Sequence, residues 1–115
     1  MSRRPASILL EEMLSAMARI ERYVAGIEHD AFMSDEKTSD AVVRNLEVLG
    51  EAAARLPENV RVSAPEVPWR RIVGLRNRIV HEYFGVDLEI VWEIVGNDLR
   101  ALRPQLLELK NRHQD

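Results

Sequence analysis

Apolar residues recur along this chain at steps of three and four, the spacing that gathers side chains on one face of an α-helix. Leu10, Met13, Leu14, Met17, Ile20, Val24 and Ile27 predict a first helix from Ser7 to about Gly26, with Glu11, Glu12, Arg19, Glu21 and Arg22 on its solvated side. A link from Glu28 to Asp35 carries His29 and ends on Ser34, a residue type that caps helix N-termini. Val42, Leu46, Leu49, Ala53 and Leu56 then mark a second helix from Asp35 to Leu56. Gly50, Ala52, Ala53 and Ala54 make that helix thin enough for close approach by another, and Pro57 stops it. The segment from Pro57 to Pro68 holds three prolines and reads as a connector with room for one short helical turn. A third helix is expected from Trp69 to Tyr83 or Phe84, ended by Gly85. Asp87 would cap a fourth, lined by Leu88, Val91, Trp92, Val95, Leu99 and Leu102, with Trp69 and Trp92 in the core. Pro104 should end or kink it, leaving one further turn over Gln105–Leu109 and a frayed tail from about residue 110. Four helices with short links predict an all-α, antiparallel helical bundle.

Composition narrows the class. A length of 115 residues fits a single domain over residues 1–115, and 46% apolar residues suffice for a core. The net charge of -3 supplies no global field toward nucleic acid or membrane, so any anion site must be a local cluster. The absence of cysteine excludes disulfides, thiol catalysis and thiolate zinc sites. Met1–Pro5 is basic, but the apolar stretch after it reaches only Leu10, too short for a signal sequence, and no run approaches membrane-spanning length. A cytoplasmic protein without membrane contact is the expectation.

One segment is unlike the rest. Drawn as a helix at about 100° per residue, Ile72, Val73, Ile79, Val80 and Tyr83 share an arc of about 120°, and Arg76 falls in its middle. A guanidinium there needs a carboxylate, an anionic ligand or a wet subunit boundary, because a buried unpaired charge is costly. Arg70, Asn77 and His81 cluster on one edge, close to Gly74. Arg70, Arg71, Arg76 and Arg78 place four guanidinium groups in nine residues, against the nearby acid Glu82. Such a strip suits phosphate, whose oxygens match arginine forks. The plainer readings are solvated surface for Arg70 and Arg71 and a helical ion pair for Arg78 and Glu82. His29 and His113 belong to loop and tail and lack the spacing of metal ligands.

Arg76, four residues, His81, one residue and Tyr83 together resemble the signature of the HEPN superfamily, in particular the HepT-like ribonuclease toxins paired with minimal nucleotidyltransferase antitoxins. Leu49-Gly-Glu-Ala52, Val67-Pro-Trp69, Tyr83-Phe-Gly85-Val-Asp87 and Val91-Trp92 are similar to that family as well, so the resemblance runs from about Leu10 to Leu107. It implies a bundle that forms a homodimer, with the motifs of two protomers meeting in an interfacial cleft, and metal-independent endoribonuclease activity that uses no cofactor. In one straight helix Arg76 and His81 would stand about 140° apart, which a two-fold axis beside the strip would reconcile. The resemblance makes Arg76, His81 and Asn77 the catalytic set. His81 would move protons, Arg76 would stabilise charge on the phosphorane, and Asn77 would orient His81 or the phosphate. Arg70 and Arg78 are expected to hold RNA phosphates. Tyr83 would accept AMP from a cognate nucleotidyltransferase antitoxin, which would silence the toxin. Two other readings keep the same fold: a nucleotide- or RNA-binding module that does not cleave, and a purely structural helical dimer.

Overall fold

The computed structural model describes residues 5–81 and 85–113. Its frame is three long helical stretches, as the periodicity requires. Helix α1 (Ala6–Val24) lies along α3 (Glu36–Arg55) and also meets α8 (Leu99–Arg112). Leu10, Met13, Met17 and Ile20 of α1, Leu46 and Leu49 of α3, and Leu106 and Leu109 of α8 are all fully buried in one core. Arg103 of α8 grips Glu21 of α1 through two hydrogen bonds of 2.9 and 2.7 Å. Beyond α1, Gly26 adopts a φ of 75°, a left-handed turn that glycine takes without steric cost. Arg19, expected on the solvated side, is half-buried and donates from Nε to Asn45 Oδ1 at 2.7 Å. Asn45 in turn donates to the Ala41 carbonyl at 2.9 Å, so this buried amide is satisfied on both sides.

The links are more ordered than the sequence suggested. Residues expected as a loop form α2 (His29–Ser34), because Phe32 is fully buried with its ring 5.1 Å from that of Trp92. The cap of α3 is Asp35 rather than Ser34: its carboxylate accepts from the Thr38 amide at 3.0 Å. The proline-rich connector holds α4 (Glu58–Val62), and the Trp69 indole pins it by donating to the carbonyls of Arg61 and Ala64, both at 3.0 Å.

The predicted third helix is corrected in two places. It divides at Gly74 into α5 (Trp69–Val73) and α6 (Leu75–Ile79), and it stops at Ile79 rather than Tyr83. There the chain turns extended, and β1 (Val80–His81) pairs antiparallel with β2 (Gly85–Val86), Val80 opposite Val86 and His81 opposite Gly85. Two features end the helix. The Asp87 amide donates to the Ile79 carbonyl at 2.6 Å, and Gly85 takes a φ of 78°.

The fourth helix starts as predicted, with the Asp87 carboxylate accepting from the amides of Glu89 and Ile90 at 3.1 and 3.2 Å. After α7 (Leu88–Glu93) comes a π-helical segment, Ile94–Asp98, and then α8. Pro104 sits inside α8 and does not end it. Burial of Leu102, Leu106 and Leu109 on one face outweighs the single backbone bond that proline removes. No helix among the described residues is long and apolar enough to cross a membrane.

Candidate functional site

The basic strip is positioned by a close approach between α3 and α5. A Cβ added at Gly50 would lie 3.0 Å from the Ile72 carbonyl oxygen, so the thin face of α3 lets the α5 backbone rest directly on it. With α5 seated there, Ile72, Leu75 and Ile79 are buried and Val73 is 40% exposed. The predicted arc, centred on Arg76 with Val73 inside it, is therefore replaced by a stripe through Leu75.

Arg76 is exposed. It stands at the rim of a shallow groove of about 180 Å³ between α3 and α5–α6, beside Val73, Glu47 and Glu51. Its guanidinium keeps its water, so the cost expected of a buried charge does not arise. Among the described residues, none forms a hydrogen bond or ion pair with it. Asn77 and Arg70 are exposed as well, which leaves Arg70, Arg76 and Asn77 open to solvent along these two short helices. Glu47 and Glu51, four residues apart on α3, were not singled out in the sequence. For Glu51 a signal was present in the Leu49-Gly-Glu-Ala52 motif, whose glycine makes the approach and whose Glu51 lines the same groove as Arg76; Glu47 lies outside that motif.

Arg78 is directed elsewhere. It is half-buried and donates to Asp98 Oδ2 at 3.0 Å, and Arg71 reaches the same oxygen at 3.5 Å. Arg78 is thus tied to the π-helical segment; its predicted pairing with Glu82 lies outside the described residues. The backbone of His81 belongs to β1, so the projection that set it 140° from Arg76 on one straight helix lapses. The His81 side chain and the whole of Tyr83 lie outside the described residues.

His29, assigned to a loop from the sequence, begins α2 and links it to α7. Its Nε2 is hydrogen-bonded to Glu89, its Nδ1 to Asp30 at 2.9 Å, and its ring stands edge-on to Trp92 at 6.0 Å. The hydrogen bonds to Asp30 and then to Glu89 favour the imidazolium and raise the His29 pKa above its ordinary 6.5. No cluster of three or more His, Cys, Asp or Glu side chains able to hold a metal ion occurs among the described residues.

Comparison with known proteins places this arrangement in a lineage. Residues 13–109 match the family model described as ribonuclease HepT-like. The chain is 36% identical over 101 residues to a protein named "Probable ribonuclease HepT" of Thermococcus cleftensis, covering 88% of this chain and 92% of that one. A "Putative RNase" of Methanocaldococcus jannaschii is 33% identical over 119 residues, spanning 100% of this chain and 98% of its own length. Another so named, from Caldanaerobacter subterraneus, is 35% identical over 105 residues, 91% of this chain and 94% of its own. No solved structure matches.

Proposed function

The chain belongs to the HepT-like ribonuclease family, and from that premise we propose that it is an endoribonuclease toxin cutting RNA through Arg76, Asn77 and His81. The observation that carries this reading is the state of Arg76: a guanidinium exposed at a groove rim, with no partner among the described residues, five positions before His81. RNA brings its own nucleophile, the 2′-hydroxyl beside the phosphodiester. The protein has to take that proton, stabilise the phosphorane and protonate the leaving 5′-oxygen. Histidine suits the proton transfers because it titrates near neutral pH. Arg76 would neutralise charge that develops on the phosphorane, a role whose loss costs about 2–4 kcal/mol for one comparable donor. Exposed Arg70 would extend the electrostatic track along the strand. Arg78 would reach phosphate only by sharing its guanidinium with Asp98.

A homodimer would set two such strips across a cleft and let Arg76 of one chain face His81 of the other. AMP transferred to Tyr83 by a minimal nucleotidyltransferase antitoxin would place anionic bulk beside that cationic strip and block it. In this reading the reaction needs no metal, and the products carry a 2′,3′-cyclic phosphate and a 5′-hydroxyl.

The test is cleavage of end-labelled single-stranded RNA by purified protein in EDTA. Cutting should disappear in His81→Ala and on a substrate with a 2′-deoxy substitution at the cut site. Undiminished cleavage of the deoxy substrate would rule the mechanism out. RNA binding without any cleavage would leave the non-catalytic module in its place.

A further inference from the structure

Arg71 and Arg78 line a second cavity, of about 360 Å³ and open to solvent on one side, bordered by α3, α5, α6, the π-helical segment and α8 and separate from the Arg76 groove. That volume lies within the range of small-molecule sites, roughly 300–1,000 Å³. Leu49, Ile72, Leu75 and Leu102 give it an apolar floor. At its wall Arg71 and Arg78 both hold the same oxygen of Asp98, at 3.5 and 3.0 Å. Two guanidinium groups converging on one carboxylate oxygen already form an oxyanion seat, with Asp98 as the internal anion that occupies it, and the triad keeps a net positive charge. The amides of Asn97 and Gln105 also line the cavity, and each offers both a donor and an acceptor. Gln105 makes a 3.4 Å contact to the Glu66 carbonyl, and the exposed Glu66 side chain stands on that side. Asn97 and Asp98 belong to the π-helical segment, a geometry that recurs at functional sites.

These features select among anions. A fatty acid would fill the floor but leave both amides unmet. A sugar phosphate would satisfy the arginines and amides but leave the floor uncovered. A flat heterocycle with polar edges and an attached phosphate meets all three. We propose that this cavity binds a nucleotide unit, with its phosphate on the Arg71–Arg78 pair, its base on the floor, and its edges read by Asn97 and Gln105. The unit could be a free mononucleotide or one residue of an RNA strand, since both present the same chemistry. Neither Arg76 nor His81 takes part, so this site and the cleavage reading stand or fall separately.

The test is calorimetric titration of the full chain carrying His81→Ala, so that no cleavage intervenes. The probes are the four ribonucleoside 5′-monophosphates, the matching nucleosides, inorganic phosphate and a trinucleotide RNA. At least one monophosphate, or the trinucleotide, should bind, with nucleosides and inorganic phosphate at least about tenfold weaker. Binding of the trinucleotide alone identifies an RNA strand as the source; binding of a monophosphate identifies a free nucleotide. Arg71→Ala should weaken binding about tenfold, the loss of one charge-assisted hydrogen bond. Asp98→Asn removes the resident negative charge and should tighten binding several-fold, a gain that a merely structural role for Asp98 would not give. Ala101→Trp, at an exposed position on the cavity wall, should abolish binding without unfolding the chain. The proposal is overturned if no nucleotide probe binds, if Ala101→Trp binds as well as its parent, or if a folded Asp98→Asn binds no tighter.

Discussion

Gly50→Ala tests how tightly the candidate site is fixed to its scaffold. In the middle of α3 the change gains up to about 1 kcal/mol of helix propensity. Against this, the new methyl would sit 3.0 Å from the Ile72 carbonyl oxygen and 3.8 Å from that of Val73. Both atoms are backbone, so the methyl cannot be accommodated by a rotamer change; α5 itself must retreat by a few tenths of an ångström. Overpacking of this kind costs about 1–3 kcal/mol. The expected net effect runs from near zero to a loss of about 2 kcal/mol. Gly96→Ala supplies the control, since a Cβ there meets nothing within 4 Å and only the propensity gain remains. The two variants should therefore differ by about 1–3 kcal/mol, or roughly 4–12 °C in thermal midpoint for a domain of this size. Calorimetry on both settles the comparison. RNA cleavage by Gly50→Ala, measured well below its melting temperature, should fall as well, because α5 leads directly into the helix that carries Arg76. If Gly50→Ala raises the midpoint as much as Gly96→Ala does, the carbonyl contact does not hold α5 in place.

Other expectations follow from single residues. Leu106→Ala, at a fully buried position beyond Pro104, should cost about 2–5 kcal/mol in urea denaturation, whereas a loss under 1 kcal/mol would mean that α8 contributes little past the proline. Arg76→Ala should leave stability within about 0.5 kcal/mol of the parent, as an exposed side chain without a described partner, while RNA cleavage collapses. His29 has its pKa raised in the folded chain, so the stability it lends is fully present below its unfolded value near 6.5 and is lost as pH rises through the folded value. The urea midpoint should thus fall on going from pH 5.5 to pH 8.5, and His29→Gln should flatten that slope; an identical slope would remove His29 as its source. Tyr83→Phe should remain toxic on expression yet resist labelling by a cognate transferase with ATP, and normal labelling of that variant would assign the acceptor to another residue.

Much of the frame was legible because it rests on periodicity. Six of the seven apolar positions that mark the first helix lie in α1, with Ile27 just past it, and four of the five that mark the second lie in α3, with Leu56 at its end. The Gly–Ala run in α3 announced the close approach that Gly50 makes. The reading failed where local chemistry overrides period. From Trp69 to Phe84 no proline interrupts the helical pattern, so one helix was drawn; the break depends on Gly74 and on the Asp87 amide bonding back to Ile79, a contact that only the fold creates. That one error moved Arg76 to the centre of an apolar face and fixed a false angle to His81. The sequence leaves Pro104 as an end or a kink, and the helix does not end there, because sequence shows the bond a proline loses and not the burial that compensates. Phe32 sits between Ala31 and Met33 in a stretch too short to show a period, yet its burial anchors α2. Of the two acids in the Arg76 groove, Glu51 was legible as part of a motif and Glu47 not at all, since nothing in a linear sequence says that either shares a groove with Arg76.

The wide turn at Ile94–Asp98 has a consequence for chain length. It accommodates one more residue than an ordinary helical turn would, so the stretch from Leu88 to Arg112 is effectively an α-helix with a spare amino acid inserted. Deleting Gly96 would let the whole stretch wind regularly. Because the wide turn already absorbs that residue, the parts on either side would keep nearly their present phase, with Leu102, Leu106 and Leu109 still in the core and α7 still against α2. A residue inserted after Leu102 instead, where no wide turn absorbs it, would turn everything beyond it by about 100° and carry Leu106 and Leu109 off their buried face. Length is forgiving at the wide turn and strict beyond it.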